Sequence, residues 1–153
     1  MRNSHTLEQV LSNAITVHGR AADIYQQLRQ RTTDERVALL LDDMAAHDLR
    51  MKDVITEMMT RIEQRALDTH MKYTLEEDPE EFLASAIPDS ANLTVEEVGA
   101  LGQSVHDYLT QLIEHAWSRC AAETCQKWLK DVLQLEEAER RNFSRAVLSA
   151  QEL

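Results

Sequence analysis

Four polar residues stand where an α-helical repeat asks for apolar ones. His18 sits in the series Leu7, Leu11, Ala14, His18, Ala21, Tyr25, Leu28, and His47 in Val37, Leu41, Met44, His47, Met51, Ile55, Met58, Ile62. Glu136 and Glu139 sit in Leu129, Leu133, Glu136, Glu139, Phe143, Val147, Ala150. Steps of three and four keep each series on one helix face, so all four residues should meet a seam between helices. A polar group in such a seam is costly unless partnered, and a carboxylate there needs a counter-charge. Two chemistries meet that need. The imidazoles and carboxylates can pair with one another, or His18, His47 and Glu136, with Glu139 as a fourth ligand, can surround a divalent ion. Mixed nitrogen and oxygen donors suit iron, manganese or zinc. The plainer expectation is paired seam residues with no cofactor, or a slightly rotated last helix that turns Glu136 and Glu139 to solvent.

The elements that must carry these residues follow from capping signals. Thr6 with Gln9, Thr32 with Glu35 and Thr94 with Glu97 each fit a capping box, in which hydroxyl and side-chain carbonyl satisfy the first backbone N–H groups. Four helices are expected, over about 6–30, 33–67, 94–121 and 124–150, in one domain spanning 1–153. Short connections near Thr32 and from Cys120 to Thr124 imply antiparallel neighbours. Residues 68–93 break the pattern with Glu76 to Glu81 and Pro88 to Ser90. They form a crossover long enough to run the length of a bundle, with a helical turn around Glu80 to Ala86. The acidic stretch there is a solvated loop in its simplest form. Of 3 Gly and 2 Pro, only Gly19 falls inside the two clearest hairpin halves, and this scarcity favours few long helices.

Laying the first two helices over the last two gives one consistent offset. Tyr25 falls on Trp117, Thr32 on Thr124, Leu41 on Leu133, Met51 on Phe143 and Ile55 on Val147. The same offset sets Met44 on Glu136, His47 on Glu139 and His18 on Thr110. The unusual seam residues therefore occupy matching mid-helix levels. His18 and His47 are about equally far from the turn near Thr32, so antiparallel pairing brings them level.

On these positions the chain resembles a diverged ferritin-like protein, closest to rubrerythrin-type hairpins. The resemblance covers about 7–67 and 94–148. That family carries Glu and a later Tyr on its first helix, where this chain has His18 and Tyr25. It carries Glu-x-x-His on its second, where Met44 to His47 stand, and Glu on its third, where Thr110 stands with Glu114 one turn on. Its fourth helix has a second Glu-x-x-His, matched here by Glu136 to Glu139. Only His47 and Glu136 keep the family's residue type. The resemblance implies an all-α, antiparallel four-helix bundle of two hairpins joined by a long crossover. It implies a degraded or reduced metal site, because so few carboxylates cannot balance two cations. The expected role is weak divalent-metal binding or a non-catalytic accessory protein. The alternatives are an iron- or manganese-dependent oxidoreductase and a protein-interaction module without metal. A homodimer is the expected assembly.

Charge and composition narrow the rest. The formal net charge of -11 over 153 residues disfavours nucleic acid and anionic membrane partners. No apolar run approaches the roughly 18 residues a bilayer span requires, and Met1 to Leu11 carries no signal pattern; a cytoplasmic protein is expected. Cys120 and Cys125 flank the last turn and could form a disulfide or redox pair, although two isolated thiols are the simpler expectation. Glu114 and His115, adjacent on one helix, point too far apart to chelate together. Met51, Met58 and Met59 read as core filling, and Tyr25 and Trp117 as large residues closing the bundle near each turn. No nucleotide loop, nucleophile elbow or zinc-finger spacing is present.

Overall fold

The computed structural model describes residues 4–72, 77–89 and 92–152. In chain order these form β1 (Ser4–Thr6), α1 (Leu7–Arg31), α2 (Glu35–Arg61), α3 (Gln64–Leu67), β2 (His70–Lys72), α4 (Pro79–Ala86), α5 (Val95–Arg119) and α6 (Glu123–Glu152). Among the described residues the fold is all-helical apart from the pairing of β1 with β2. No described helix is long and apolar enough to cross a membrane. α1 packs chiefly on α2 and α5 on α6, and the two pairs meet through α2–α6, α1–α5 and α2–α5.

Caps set the helix starts. Thr6 and Thr94 each form the full reciprocal box with Gln9 and Glu97. The second helix departs from expectation. Its N-cap is Asp34, whose carboxylate accepts from the Arg36 and Val37 amides, while the Thr32 hydroxyl accepts only from the Asp34 amide. A carboxylate one residue before the helix engages two orphan donors and fits the positive helix end, so it displaces the hydroxyl as cap. α2 also ends at Arg61 rather than near 67. Ile62 turns its side chain inward as the C-cap and Glu63 starts α3.

The expected crossover is partly structured. β1 pairs antiparallel with β2, Ser4 opposite Lys72 and Thr6 opposite His70, and the Leu7 amide donates to the Thr69 carbonyl at 3.1 Å. α4 is a full helix with Asp78 as N-cap and Pro79 in the first turn, a favoured combination. The Tyr108 hydroxyl donates to the Glu77 carbonyl at 2.8 Å, and Phe82 stacks on Tyr108 with ring centroids 4.3 Å apart. Part of the acidic stretch is therefore docked, and Glu80 pairs with Arg20 at 3.3 Å. Glu76 and Ser90 lie outside the described residues.

The core runs the bundle's length through the expected faces of α1 and α2. On α6 the buried positions are Cys125, Leu129, Val132, Glu136, Phe143 and Ala150, with Leu133 and Val147 at the margin. Trp117 corrects an expectation: it is 42% exposed, whereas Tyr25 is 1% exposed. Leu112, Ile113, Ala116 and Cys120 hold the inner face of α5, and Trp117 is rotated a quarter-turn or more from Ala116. Gly99 and Gly102 lie inside α5, where glycine costs about 1 kcal/mol relative to alanine. Gly102 has a packing reason. A Cβ there would lie 2.4 Å from the Phe143 ring and 2.9 Å from the Met44 methyl.

Candidate functional site

The mid-bundle seam holds a dry ion cluster centred on His18. The His18 ring is fully buried, on the stretch of α1 where Ala14, Val17, Ala21 and Ala22 are buried too. From α2, Asp48 Oδ1 lies 2.5 Å from His18 Nδ1; from α6, Glu136 Oε1 lies 2.6 Å from Nε2. Carboxylate oxygens only accept, and a neutral imidazole has one N–H to give. Two carboxylates on opposite ring nitrogens therefore hold His18 as an imidazolium. Burial alone would pull its pKa down. The Glu136 charge and the hydrogen bonds that the ring donates to both carboxylates outweigh it and raise the value to about 10. The cluster carries two negative charges and one positive inside the bundle.

A second pair sits beside it, nearer water. His47 Nδ1 lies 2.8 Å from Glu139 Oε2, and His47 Nε2 lies 3.4 Å from Asp43 Oδ1. Arg50 Nη2 also reaches His47 Nδ1 at 2.7 Å, and Nη2 lies 3.8 Å from Glu139 Oε1. One ring nitrogen cannot donate to Glu139 and accept from Arg50 at once. His47 thus has two competing hydrogen-bond states. The side chains of His47 and Glu139 are 28% and 13% exposed, against 0% for both His18 and Glu136.

The four expected site residues are therefore joined as two cross-helix pairs, His18 with Glu136 and His47 with Glu139. The described residues include no ion pair linking one pair to the other. The expectation of a rotated last helix that turns Glu136 and Glu139 to solvent is overturned: α6 presents both to the seam. In each pair the carboxylates approach opposite nitrogens of one imidazole. A single ion bound to one nitrogen cannot also be held by the carboxylate behind the ring. Accordingly, no three described His, Cys, Asp or Glu side chains converge as a metal-holding group.

Among the described residues three buried polar atoms lack a partner: Glu136 Oε2, Thr110 Oγ1 and His106 Nδ1. Thr110 and His106 are one turn apart on α5, and the His106 ring tilts against Phe143 at 5.1 Å. Burial lowers the His106 pKa, partly offset by the charges of Asp48, Glu136 and Glu139. A narrow cleft lined by Tyr25, His47, Asp48, His106, Glu139 and Phe143 has a cavity volume of about 10 Å³, near the minimum for one water. Burial, and then the Asp48 charge, push the Tyr25 hydroxyl well above its ordinary range, so it stays neutral at the cleft wall.

Sequence reasoning missed Asp48 and His106. Asp48 had a signal: it lies seven residues after Leu41 and seven before Ile55, on the stripe itself. It is also 30 residues from His18, with Thr33 midway in the connecting turn, so antiparallel packing sets the two level. His106 follows the apolar Val105 and has no comparable signal; its place depends on Gly102 leaving room for Phe143. Glu114 and His115 are exposed, and Cys120 and Cys125 are free thiols.

Comparison with family models, with curated proteins and with solved structures found no match to this chain.

Proposed function

We propose that this chain is a ferritin-like bundle of two antiparallel hairpins in which a buried imidazolium stands in for a metal cation, leaving a non-catalytic accessory protein. One observation carries the proposal: both nitrogens of His18 are engaged by carboxylates, at 2.5 and 2.6 Å. An ion-free carboxylate pair in a bundle core would need protonation or a counter-ion. His18 supplies that counter-ion from within the chain, so the seam stays folded without an external cation.

A second reading has its own support. Asp48 behind His18 Nδ1 is the arrangement that orients a metal-ligating imidazole in many sites, and Glu136 Oε2 is unpartnered. If His18 gave up its Nε2 proton, an iron, manganese or zinc ion could compete for Nε2 and Glu136, with His47 and Glu139 available nearby. Such a site would bind weakly, because the ion must displace a strong internal ion pair.

Tag-free protein, metal analysis and histidine-selective ¹⁵N NMR separate the two. The proposal expects sub-stoichiometric metal, no thermal stabilisation by added zinc, manganese or ferrous ion, and two protonated nitrogens on His18 at pH 8. Stoichiometric metal lost in both His18→Ala and His47→Ala, together with a singly protonated His18 ring, would overturn it in favour of the metal site.

A further inference from the structure

The three unpartnered atoms, Glu136 Oε2, Thr110 Oγ1 and His106 Nδ1, belong to the seam between α5 and α6. Three contacts fix how these helices are aligned. A Cβ at Gly99 would meet Val147, a Cβ at Gly102 would meet Phe143, and Arg140 Nη2 lies 3.5 Å from Asp107 Oδ1. The helices are antiparallel, so each residue gained along α5 is matched by one lost along α6. Continuing that step sets Thr110 level with Glu136, and His106 level with Glu139 and Arg140. Gly102, His106 and Thr110 succeed one another at one-turn spacing on the α5 face that meets Phe143. Glu136 stands two turns before Phe143 on the facing side of α6. Thr110 and Glu136 are 8% and 1% exposed, so both point into the seam.

Each of the three atoms can accept a hydrogen bond. An ionised carboxylate only accepts, a hydroxyl oxygen keeps lone pairs, and a neutral imidazole leaves one ring nitrogen bare. Burial lowers the His106 pKa and so keeps its ring neutral. The charge count points the same way. Asp48 and Glu136 bring two negative charges and His18 one positive, all of them buried. One negative charge is left over in a dry seam, where an uncompensated charge is costly. A guest that fits must donate, carry one positive charge and be small. His106 also lines the cleft of about 10 Å³ whose partly exposed walls include His47 and Glu139, and a space of that size admits a guest no larger than water.

We infer that the α5–α6 seam binds one small monovalent cation, ammonium, through Glu136 Oε2, Thr110 Oγ1 and His106 Nδ1. Ammonium is nearly the size of water, carries one charge, and has N–H donors enough for all three atoms and no acceptor. Water has two donors and no charge. Potassium matches the charge but donates no hydrogen bond. The inference rests on the charge count of the internal counter-ion reading above.

The test titrates the full chain in sodium phosphate with ¹⁵N-ammonium chloride, ionic strength being held constant with tetramethylammonium chloride, which is too bulky for the cleft. One saturable site is expected: the His106 ring and Thr110 methyl resonances shift together and level off, and the melting temperature rises with ammonium alone. Thr110→Val keeps the shape, removes the hydroxyl and should weaken binding at least about fivefold. His106→Phe should weaken it to a similar degree. Equal responses to ammonium and tetramethylammonium, a saturable response that Thr110→Val leaves unchanged, or an ordered water at these atoms that ammonium does not displace overturns the inference. The His18 ring, read in the same spectra, separates the two failures. Two protonated nitrogens without ammonium binding remove this site alone, whereas a singly protonated ring removes the counter-ion reading and the charge count with it.

Discussion

Two histidine–glutamate pairs join α6 to the first pair of helices, and they differ mainly in water. His18 and Glu136 are sealed and share a second carboxylate, Asp48. His47 and Glu139 are partly wet and share their charge with Arg50 and Asp43. The same residue types thus give a fixed imidazolium in one place and an imidazole with two competing partners in the other. Burial decides which. In a dry seam an unpaired charge costs several kcal/mol, so the pairing is obligatory; in a wet cleft solvent screens the charge and alternatives coexist.

The largest break in that comparison comes from removing one partner of the dry cluster. His18→Ala leaves Asp48 and Glu136 facing each other without a counter-charge and should cost about 3–5 kcal/mol in urea unfolding. His47→Ala should cost under about 1 kcal/mol. Similar losses for the two would remove the distinction. Replacing the whole cluster with apolar residues, His18→Leu, Asp48→Leu and Glu136→Met, should recover most of the loss, because buried ion clusters rarely outperform good packing.

The pH dependence of stability follows next. His18 has its ordinary value of 6.5 in the unfolded chain and about 10 in the folded one. Between these values the folded protein keeps a proton that the unfolded chain has released, so raising the pH favours unfolding. The contribution is complete below about 6.5 and is lost as pH rises through 10; its size is on the order of several kcal/mol. His106 acts in the opposite sense. Burial lowers its folded value, so its contribution is present above 6.5 and lost as pH falls. Denaturant midpoints measured from pH 5 to 10 should decline on the alkaline side, and His18→Gln should flatten that limb alone. An unchanged alkaline limb in the variant would refute the assignment.

Smaller effects sharpen the packing side. Gly102→Ala places a methyl against Phe143 and Met44. It should lose about 1–3 kcal/mol despite the better helix propensity, and His106 should shift with Phe143 in NMR spectra. Gly99→Ala meets only Val147, at 3.3 Å, and should be milder. Smallest of all, Glu139→Gln should change the unfolding free energy by under about 1 kcal/mol. In the same variant, His47 Nδ1 should become a pure acceptor from Arg50, visible as a loss of the Nδ1-bound proton.

How much of this was written in the chain depends on distance along it. The Thr6 and Thr94 caps were legible because each engages a residue three positions away. Asp34 was misjudged in favour of Thr32 because two good capping residues stood close together and only geometry chose between them. The pairing of β1 with β2 was hidden, since three-residue strands have no periodicity and their partners are far apart in sequence. In the seam, polar residues on an apolar stripe pointed to His18, His47, Glu136 and Glu139, but level alone grouped them as one set, whereas the structure joins them as two separate pairs. What level and stripe cannot encode is ring orientation. The structure places the two carboxylates around His18 on opposite nitrogens rather than the same side, and that detail separates an internal ion triad from a chelate.

The short clasp between β1 and β2 fastens the beginning of α1 to the far end of α2, opposite the turn that already joins them. The first two long helices are thereby tied at both extremities, so covalent continuity at the turn is redundant for holding them together. A protease cutting after Arg31, in the exposed connection, should leave two fragments that migrate as one species until denaturant is added.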